Sequence, residues 1–359
     1  MPAPLKDCFN EAMVTTLATR VHEHHPDFDR SQFQKAVLDD HWAQRELKDR
    51  MNHLATCLNT LLPSDYRKAL RILKPVADQF SGLEHLVFPA YVEQFGAADI
   101  DASIDAMAYF TEGSSSELAI RPFIIAHQDR MMRQMTEWAA SENLHLRRLA
   151  SEGCRPRLPW AMALPAFKRD PAPVLEILKT LMTDSSEYVR RSVANNLNDI
   201  SKDHPDTTIA VTREWIGRQS DTDRLLKHAC RTLLKQGHPE ALSLFGFHKP
   251  DHIQITHFNV TPNVAMGDAL AFAFTLHAQN GTLGKCRIEY EIGFIRKNGT
   301  TSGKVFQISE SKQAGREKIV EKQHSFRPIS TRTYYPGRHR IAIRVNGHEL
   351  KHDHFELSL

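Results

Sequence analysis

The chain is poor in the features that mark several whole classes of protein. Its five cysteines (Cys8, Cys57, Cys154, Cys230 and Cys286) are odd in number, widely spaced and without a Cys-x-x-Cys pair. That argues against a disulfide-stapled scaffold or a zinc ribbon and fits a reducing compartment. No apolar run approaches the roughly 20 residues of a membrane-spanning helix, and the mean hydropathy is −0.44. The opening stretch MPAPLKDCFNEAMVTTL has no basic segment leading into an apolar one, so a cytoplasmic location is expected, with no membrane partner. There is no glycine-rich phosphate loop and no strand–helix alternation, which sets aside Rossmann and P-loop folds.

What is present is ordinary in amount and uneven in placement. With 359 residues, 41% of them hydrophobic, two or three domains with sizeable cores are expected. The net charge of +3 hides a gradient. Residues 1–140 carry 14 Lys+Arg against 20 Asp+Glu, residues 141–250 carry 17 against 13, and residues 251–359 carry 15 against 10. An acidic front and a basic back suit a surface for a polyanion, although solvated faces alone would give the same asymmetry.

Up to about residue 250 the apolar spacing is helical, as in FQKAVLDDHWAQRELKDRMNHLATCLNTLL and YRKALRILKPVADQF. Pro63-Ser64-Asp65, Gly96, Thr111-Glu112-Gly113 and Asp170-Pro171 punctuate it. The segments SSELAIRPF, ENLHLRRLASEG, SSEYVRRSVANNL and TDRLLKHACRTLLKQG form a loose repeat. Their basic pairs Arg147/Arg148, Arg190/Arg191 and Lys227/His228 step by 43 and then 37 residues, near the period of about 40–47 of HEAT-type helix pairs. The fold class expected for residues 1–250 is therefore an α-solenoid with basic residues on one face. From 251 to 359 the period becomes two, in IQITHFNV, ALAFAFTLHA, CRIEYEIGFI, GKVFQIS and HRIAIRVNG. Asn-Gly pairs at 280–281, 298–299 and 346–347 read as hairpin turns, and the whole reads as a small all-β immunoglobulin-like sandwich. TYYPGRHRIAIRV places tyrosines where a tyrosine corner would stand.

Three segments are richer in polar and aromatic groups than a helical core requires. SSSELAIRPFI holds Glu117 and Arg121, although a serine ahead of Glu is also a plain helix start. LHLRRLASEGCRPRLPWAMALP gathers Arg147, Arg148, Glu152, Arg155, Arg157 and Trp160, with a turn that a solvated helix does not need. VRRSVANNLNDISKDHPD crowds Asn195, Asn196, Asn198 and Asp199 at a helix end, where such residues usually cap. Around them Arg190, Arg191 and Lys202 have the character of phosphate clamps. His22, His24 and His25 cluster at another helix end, which is more often bland than a metal site, so no metal is expected.

These stretches resemble the AlkC-type DNA alkylation repair glycosylases, relatives of AlkD among the HEAT-like-repeat glycosylases. The resemblance spans essentially the whole chain, because one AlkC subgroup carries an immunoglobulin-like domain after its solenoid. It implies a monofunctional glycosylase that removes 3-methyladenine and 3-methylcytosine from double-stranded DNA, kinking the duplex without rotating the base out, and acting as a monomer without a cofactor. A cationic base is a good leaving group, so the protein need supply only negative charge for an oxocarbenium-like sugar and an aromatic face for the base. Glu152, Trp160, Glu117 and Asp199 are the expected catalytic set. In the AlkD branch an aspartate close to a tryptophan is the principal carboxylate. Here Glu137 precedes Trp138 and no Trp-x-x-x-Asp exists, so Glu152 is assigned on local context. Expected DNA contacts are Arg121, Arg147, Arg148, Arg155, Arg157, Arg190, Arg191, Asn195, Asn196, Lys202, Lys227 and His228, with Arg338 and Arg340 from the β-domain gripping a bent duplex. Two rivals stay open: a HEAT-repeat protein that binds DNA structure or lesions without excision, and a protein-binding scaffold.

Overall fold

The structure, a computed structural model, describes residues 4–329 and 332–358. The chain is helical through α1 (Glu11–His24), α2 (Arg30–Val37), α3 (Leu47–Leu61), α4 (Tyr66–Ala77), α5 (Gly82–His85), α6 (Val87–Phe95), α7 (Ile100–Phe110), α8 (Ile120–Ala126), α9 (Gln128–Ala139) and α10 (Leu144–Gly153). It continues through α11 (Pro165–Arg169), α12 (Ala172–Thr180), α13 (Glu187–Ile200), α14 (Pro205–Trp215), α15 (Ser220–Ala229), α16 (Arg231–Gln236) and α17 (Pro239–Leu244). Local chemistry sets many of these boundaries. Asn10, Asp29, Asp65, Asp99 and Asn143 each accept a first-turn amide with the side-chain oxygen, at the starts of α1, α2, α4, α7 and α10. Gly96 ends α6, and a Cβ there would lie 2.3 Å from Ser103 Oγ and 2.7 Å from the Val92 carbonyl oxygen, so glycine lets α7 approach. The repeat is visible in packing: α10 lies on α13, and α13 lies on α15. No helix among the described residues is long and apolar enough to cross a membrane.

The strands are β1 (Ile253–Val260), β2 (Asn263–Ala265), β3 (Ala269–Ala278), β4 (Gly284–Ile295), β5 (Thr301–Gln313), β6 (Glu317–Ser325), β7 (Gly337–Val345) and β8 (His348–Ser358). They form two sheets, ordered β1-β3-β6 and β2-β8-β7-β4-β5, with β2 parallel to β8. Inward-facing Phe274, Ile288, Ile292, Ile341, Ile343 and Phe355 close the core between them. Asn298-Gly299 does turn the β4–β5 hairpin, and Asn346-Gly347, both at positive φ, turn β7 into β8. Asn280-Gly281 does not make a hairpin. It links β3 to β4, which lie in different sheets, so the chain there crosses the sandwich and does not fold back on its neighbour. At the Tyr-Pro-Gly corner Tyr334 packs against Phe294 and Phe326, and the backbone tie is made by His339 Nε2, 2.9 Å from the Tyr335 carbonyl.

Packing divides the chain into two units, Met1–His204 with Arg218–Ala229, and Pro205–Gly217 with Cys230–Leu359. Secondary structure changes after residue 250, whereas α14, α16 and α17 cluster with the strands. Within that second unit the β7–β8 turn explains the grouping. A Cβ on Gly347 would meet Leu242 Cδ1 at 2.7 Å and Gly237 Cα at 2.8 Å, and Asn346 Nδ2 donates to the His248 carbonyl at 2.8 Å.

Each unit packs a histidine among aromatic rings, His85 buried and His324 half-buried. His85 packs against Phe88 and Phe110, and His324 sits among Tyr290, Phe294, Phe306 and Phe326 with Nδ1 2.8 Å from the Tyr290 hydroxyl. Burial lowers both imidazoles from 6.5 to about 4; at His324 the charges of Arg332 and Lys304 add to it. The fold thus favours neutral rings: their contribution is complete above pH 6.5 and is lost as the pH falls towards 4. Thermal unfolding followed across that range will show a falling midpoint, and His324→Gln will flatten the fall. An unchanged slope in that variant refutes the assignment.

Candidate catalytic site

Three elements build the site: the turn that leads into α8, the end of α10, and the length of α13. In the turn, Ser115 Oγ accepts the Glu117 amide at 3.2 Å and donates to the Glu117 carboxylate at 2.8 Å, which fixes that side chain. Glu152 occupies the last turn of α10, whose buried face packs on α13. Ser192 of α13 donates from Oγ to Glu152 Oε2 at 2.6 Å, and Asn196, one turn on, donates from Nδ2 to the Ser151 carbonyl at 2.7 Å. Asp199 follows on the same buried face, since positions 192, 196 and 199 share one side of a helix.

Arginines join these acids into a ladder. Arg148 pairs with Glu117 and lies 3.7 Å from Glu152 Oε1. Arg155 donates from Nη1 to Glu152 Oε1 at 2.6 Å and from Nε to Asp199 Oδ2 at 2.8 Å. Lys202 donates to Asp199 Oδ1 at 2.9 Å. Acid and base alternate, Glu117–Arg148–Glu152–Arg155–Asp199–Lys202, and the formal charges cancel. Burial would lower the Arg155 guanidinium, but Glu152 and Asp199 outweigh it and hold it above its ordinary value. Solvent reaches the acids unequally, with side-chain exposures of 21% for Glu117, 6% for Glu152 and 2% for Asp199. Tyr188, at the start of α13, is exposed, and Arg148 lies 5.2 Å from the centre of its ring.

The loop after α10 carries Trp160, which is 60% exposed and has φ +63°. Arg157 ties the loop to Asp203 through two hydrogen bonds of 3.0 and 2.6 Å. Arg121 is fully buried beneath it, donating from Nε to the Met162 carbonyl at 2.6 Å and from Nη1 to the Gly153 carbonyl at 3.1 Å. Burial brings its guanidinium down to about 10. Cys154 beside it is no nucleophile, because burial pushes its thiol up to about 12.

Several residues expected at DNA lie elsewhere. Arg121 and Asn196 are fully buried and bonded to backbone, so neither can reach a phosphate as placed. Arg155 is enclosed between two carboxylates. Arg147 and Arg190 repeat one structural device. Arg147 Nη1 donates to the carbonyls of Ser141 and Glu142, and Arg190 Nη1 donates to those of Asp184 and Ser185. Each then pairs with a carboxylate of the next repeat, Asp184 at 2.6 Å and Asp221 at 2.7 Å. Their guanidiniums thus join repeats together. Arg191, Lys202 and His228 are exposed, Lys227 partly so, and His228 Nε2 lies 3.1 Å from Asn195 Oδ1. In the sandwich Arg338 is exposed and Arg340 pairs with Glu349. His22 Nδ1 meets the Phe28 carbonyl at 3.0 Å, and no group of three potential metal ligands stands together among the described residues. Sequence reasoning missed Ser192, whose helical spacing to Asn196 and Asp199 was the available signal. It also missed Tyr188 and Lys48; Lys48 lies 112 residues from Trp160 and gives no signal in the sequence.

Known proteins share this arrangement of domains. Residues 114–233 match the family model described as DNA alkylation repair enzyme, and residues 254–359 match that of the C-terminal Ig-like domain of the uncharacterised protein YhaZ. The uncharacterized protein YhaZ of Bacillus subtilis is 43% identical over 96% of this chain and 97% of its own. A solved structure of the Pseudomonas fluorescens alkylpurine DNA glycosylase AlkC, bound to DNA containing an abasic site analog, superposes with a TM-score of 0.96. It is 35% identical, covering 99% of this chain and all of the other. The chain belongs to the AlkC family of DNA alkylation repair glycosylases. For this AlkC-type chain, the ladder and the exposed tryptophan lie within the segment matched by the repair-enzyme model.

The placement of the two neighbouring arginines separates structure from binding. Arg190→Ala will lower the thermal midpoint and leave the salt dependence of DNA binding unchanged. Arg191→Ala will leave the midpoint in place and reduce the slope of log K against log salt by about 0.9, the loss of one phosphate contact. Unfolding scans with binding titrations over a salt series check both, and the reverse pattern refutes the division.

Proposed function

We propose that this protein, a DNA glycosylase by its family, hydrolyses the N-glycosidic bond of cationic alkylated bases in double-stranded DNA. 3-Methyladenine and 3-methylcytosine are the proposed substrates, and the product is an abasic site in an uncut strand. The carrying observation is the ladder of three fixed carboxylates, anchored at the same helix end as the loop of an exposed tryptophan.

The chemistry follows from charge. An alkylated base that is already cationic leaves without a general acid. The charge that develops on the sugar as the bond breaks is best met by acids that need not move. Glu152, held by Ser192 and Arg155, is assigned that role, with Asp199 beyond Arg155 adding to the field. Glu117 has the most solvent access of the three and is assigned the water. Trp160 offers its face to the departing base, an attraction of about 0.5–2 kcal/mol for a cation over a ring. Because Trp160 stands on the surface, we read the lesion as met in place on a kinked duplex, without rotation of the base into a pocket. The monomer needs no metal or nucleotide for this chemistry.

Release of 3-methyladenine from alkylated duplex DNA, followed by chromatography in the presence of a chelator, tests the reading. Glu152→Gln will lower the single-turnover rate by about 10²-fold, as when one preorganised electrostatic group is removed. Affinity for abasic-site DNA will change little. If Glu117→Gln or Asp199→Asn abolishes release while Glu152→Gln does not, the roles among the acids are wrong. DNA binding with no base release by the wild type would favour a lesion-binding protein, and borohydride trapping of the strand would refute simple hydrolysis.

The β-domain is proposed as a second source of phosphate contacts, since residues 251–359 carry five more positive than negative charges. Arg296 and Lys297 are exposed at the β4–β5 turn. Double substitution Arg296→Glu/Lys297→Glu in the full chain will weaken binding most at low salt, reduce the slope of log K against log salt, and lower excision at sub-saturating protein. Unchanged rates across the salt series would leave the domain a role in stability or protein binding.

A further inference from the structure

A bulky aromatic residue at φ +63° is uncommon, and such a conformation persists only where its surroundings hold it. Trp160 is held on both sides. Lys48, from α3, donates from Nζ to the Trp160 carbonyl oxygen at 2.8 Å. Arg121 donates to the carbonyl of Met162, two residues on, at 2.6 Å. The Leu164 amide closes the loop on the Pro156 carbonyl at 3.1 Å. The indole meanwhile gains little from packing, Trp160 being 60% exposed, and Met162 beside it is 46% exposed.

Arg121 is a costly way to hold a loop. It is fully buried and, among the described residues, makes no ion pair and leaves Nη2 without a partner. An apolar side chain of similar volume would be a cheaper filling for such a place. What Arg121 does is join two carbonyls: that of Gly153, at the end of the helix bearing Glu152, and that of Met162, in the loop bearing Trp160. A cation is also favoured at the carboxyl end of α10, where the helix dipole is negative.

We propose that Lys48 and Arg121 are positioning residues that keep Trp160 cocked out of the surface in its left-handed conformation and set its distance from the Glu152 helix. The consequence for rate rests on the glycosylase reading above. Without the two donors the loop relaxes to negative φ and the indole swings away from the place where it meets the base.

Acrylamide quenching of tryptophan emission in the full-length protein reads the cause, with Trp160→Phe identifying the Trp160 share. Single-turnover base release reads the consequence. Lys48→Met will change the quenching of Trp160 and lower the rate by about 10-fold, because small misplacements of substrate-contacting groups carry such penalties. Lys48→Arg will restore both. Arg121→Met will give the same pair of changes with partial recovery in Arg121→Lys; should Arg121→Met not fold, the Lys48 variants decide. Wild-type quenching in Lys48→Met, with or without a loss of rate, overturns the proposal. Altered quenching when not even the wild type releases base would sustain the positioning role and reject the glycosylase reading.

Discussion

The site depends on one guanidinium. Arg155 lies buried between Glu152 and Asp199 and bonds to both, and carboxylates at such depth are costly unless a cation and hydrogen bonds meet them. The arrangement keeps fixed negative charge out of water, where it acts through a low dielectric and does not have to reorganise. Removing either partner would leave an uncompensated buried charge. Around the pair Lys202 donates to Asp199 and Arg148 adds its charge beside Glu152, while the bonds of Ser192 to Glu152 and of Asn196 to the Ser151 carbonyl hold α10 and α13 in register. The candidate chemistry and the packing of two repeats are therefore the same set of bonds.

The basic composition of the middle of the chain divides between two tasks. Some arginines face inward along the repeats, each gripping the carbonyls ahead of its own helix and an acid of the next. Others, such as Arg191, are left exposed. Adjacent residues on a helix point about 100° apart, so a pair like Arg190-Arg191 places one charge in the joint and the other in solvent. The number of basic residues therefore overstates the surface available to a polyanion, and the count of exposed cations is the better guide.

Trp160 adds a different constraint, one of conformation. Its loop follows a helix end, is tied by Arg157 to Asp203, and is held in a disfavoured backbone region by donors from distant parts of the chain. Strain of this kind is affordable where several bonds over-determine the geometry, and it presents an aromatic face that a relaxed loop would lay down on the protein.

Much of this was legible in the sequence, since apolar spacing and turn chemistry are local properties. Helical periods up to 250, alternating strands after it and the turns at Asn298-Gly299 and Asn346-Gly347 all follow from neighbours in the chain. So did the motif residues Glu117, Glu152, Trp160 and Asp199 as a group worth attention. Asn280-Gly281 departs from the expected hairpin because an Asn-Gly pair specifies a bend and not which sheet the next strand joins. β8 carries little alternating signal in the sequence, because HELKHDHFELS buries only Phe355 and Leu357. Whether an arginine would meet a phosphate, a carboxylate or a carbonyl was decided only by tertiary structure. Charge on a side chain is a property of the residue, but its partner is set by what the fold brings within 3 Å, as Arg121 with Met162 and Lys48 with Trp160 demonstrate across 41 and 112 residues of chain.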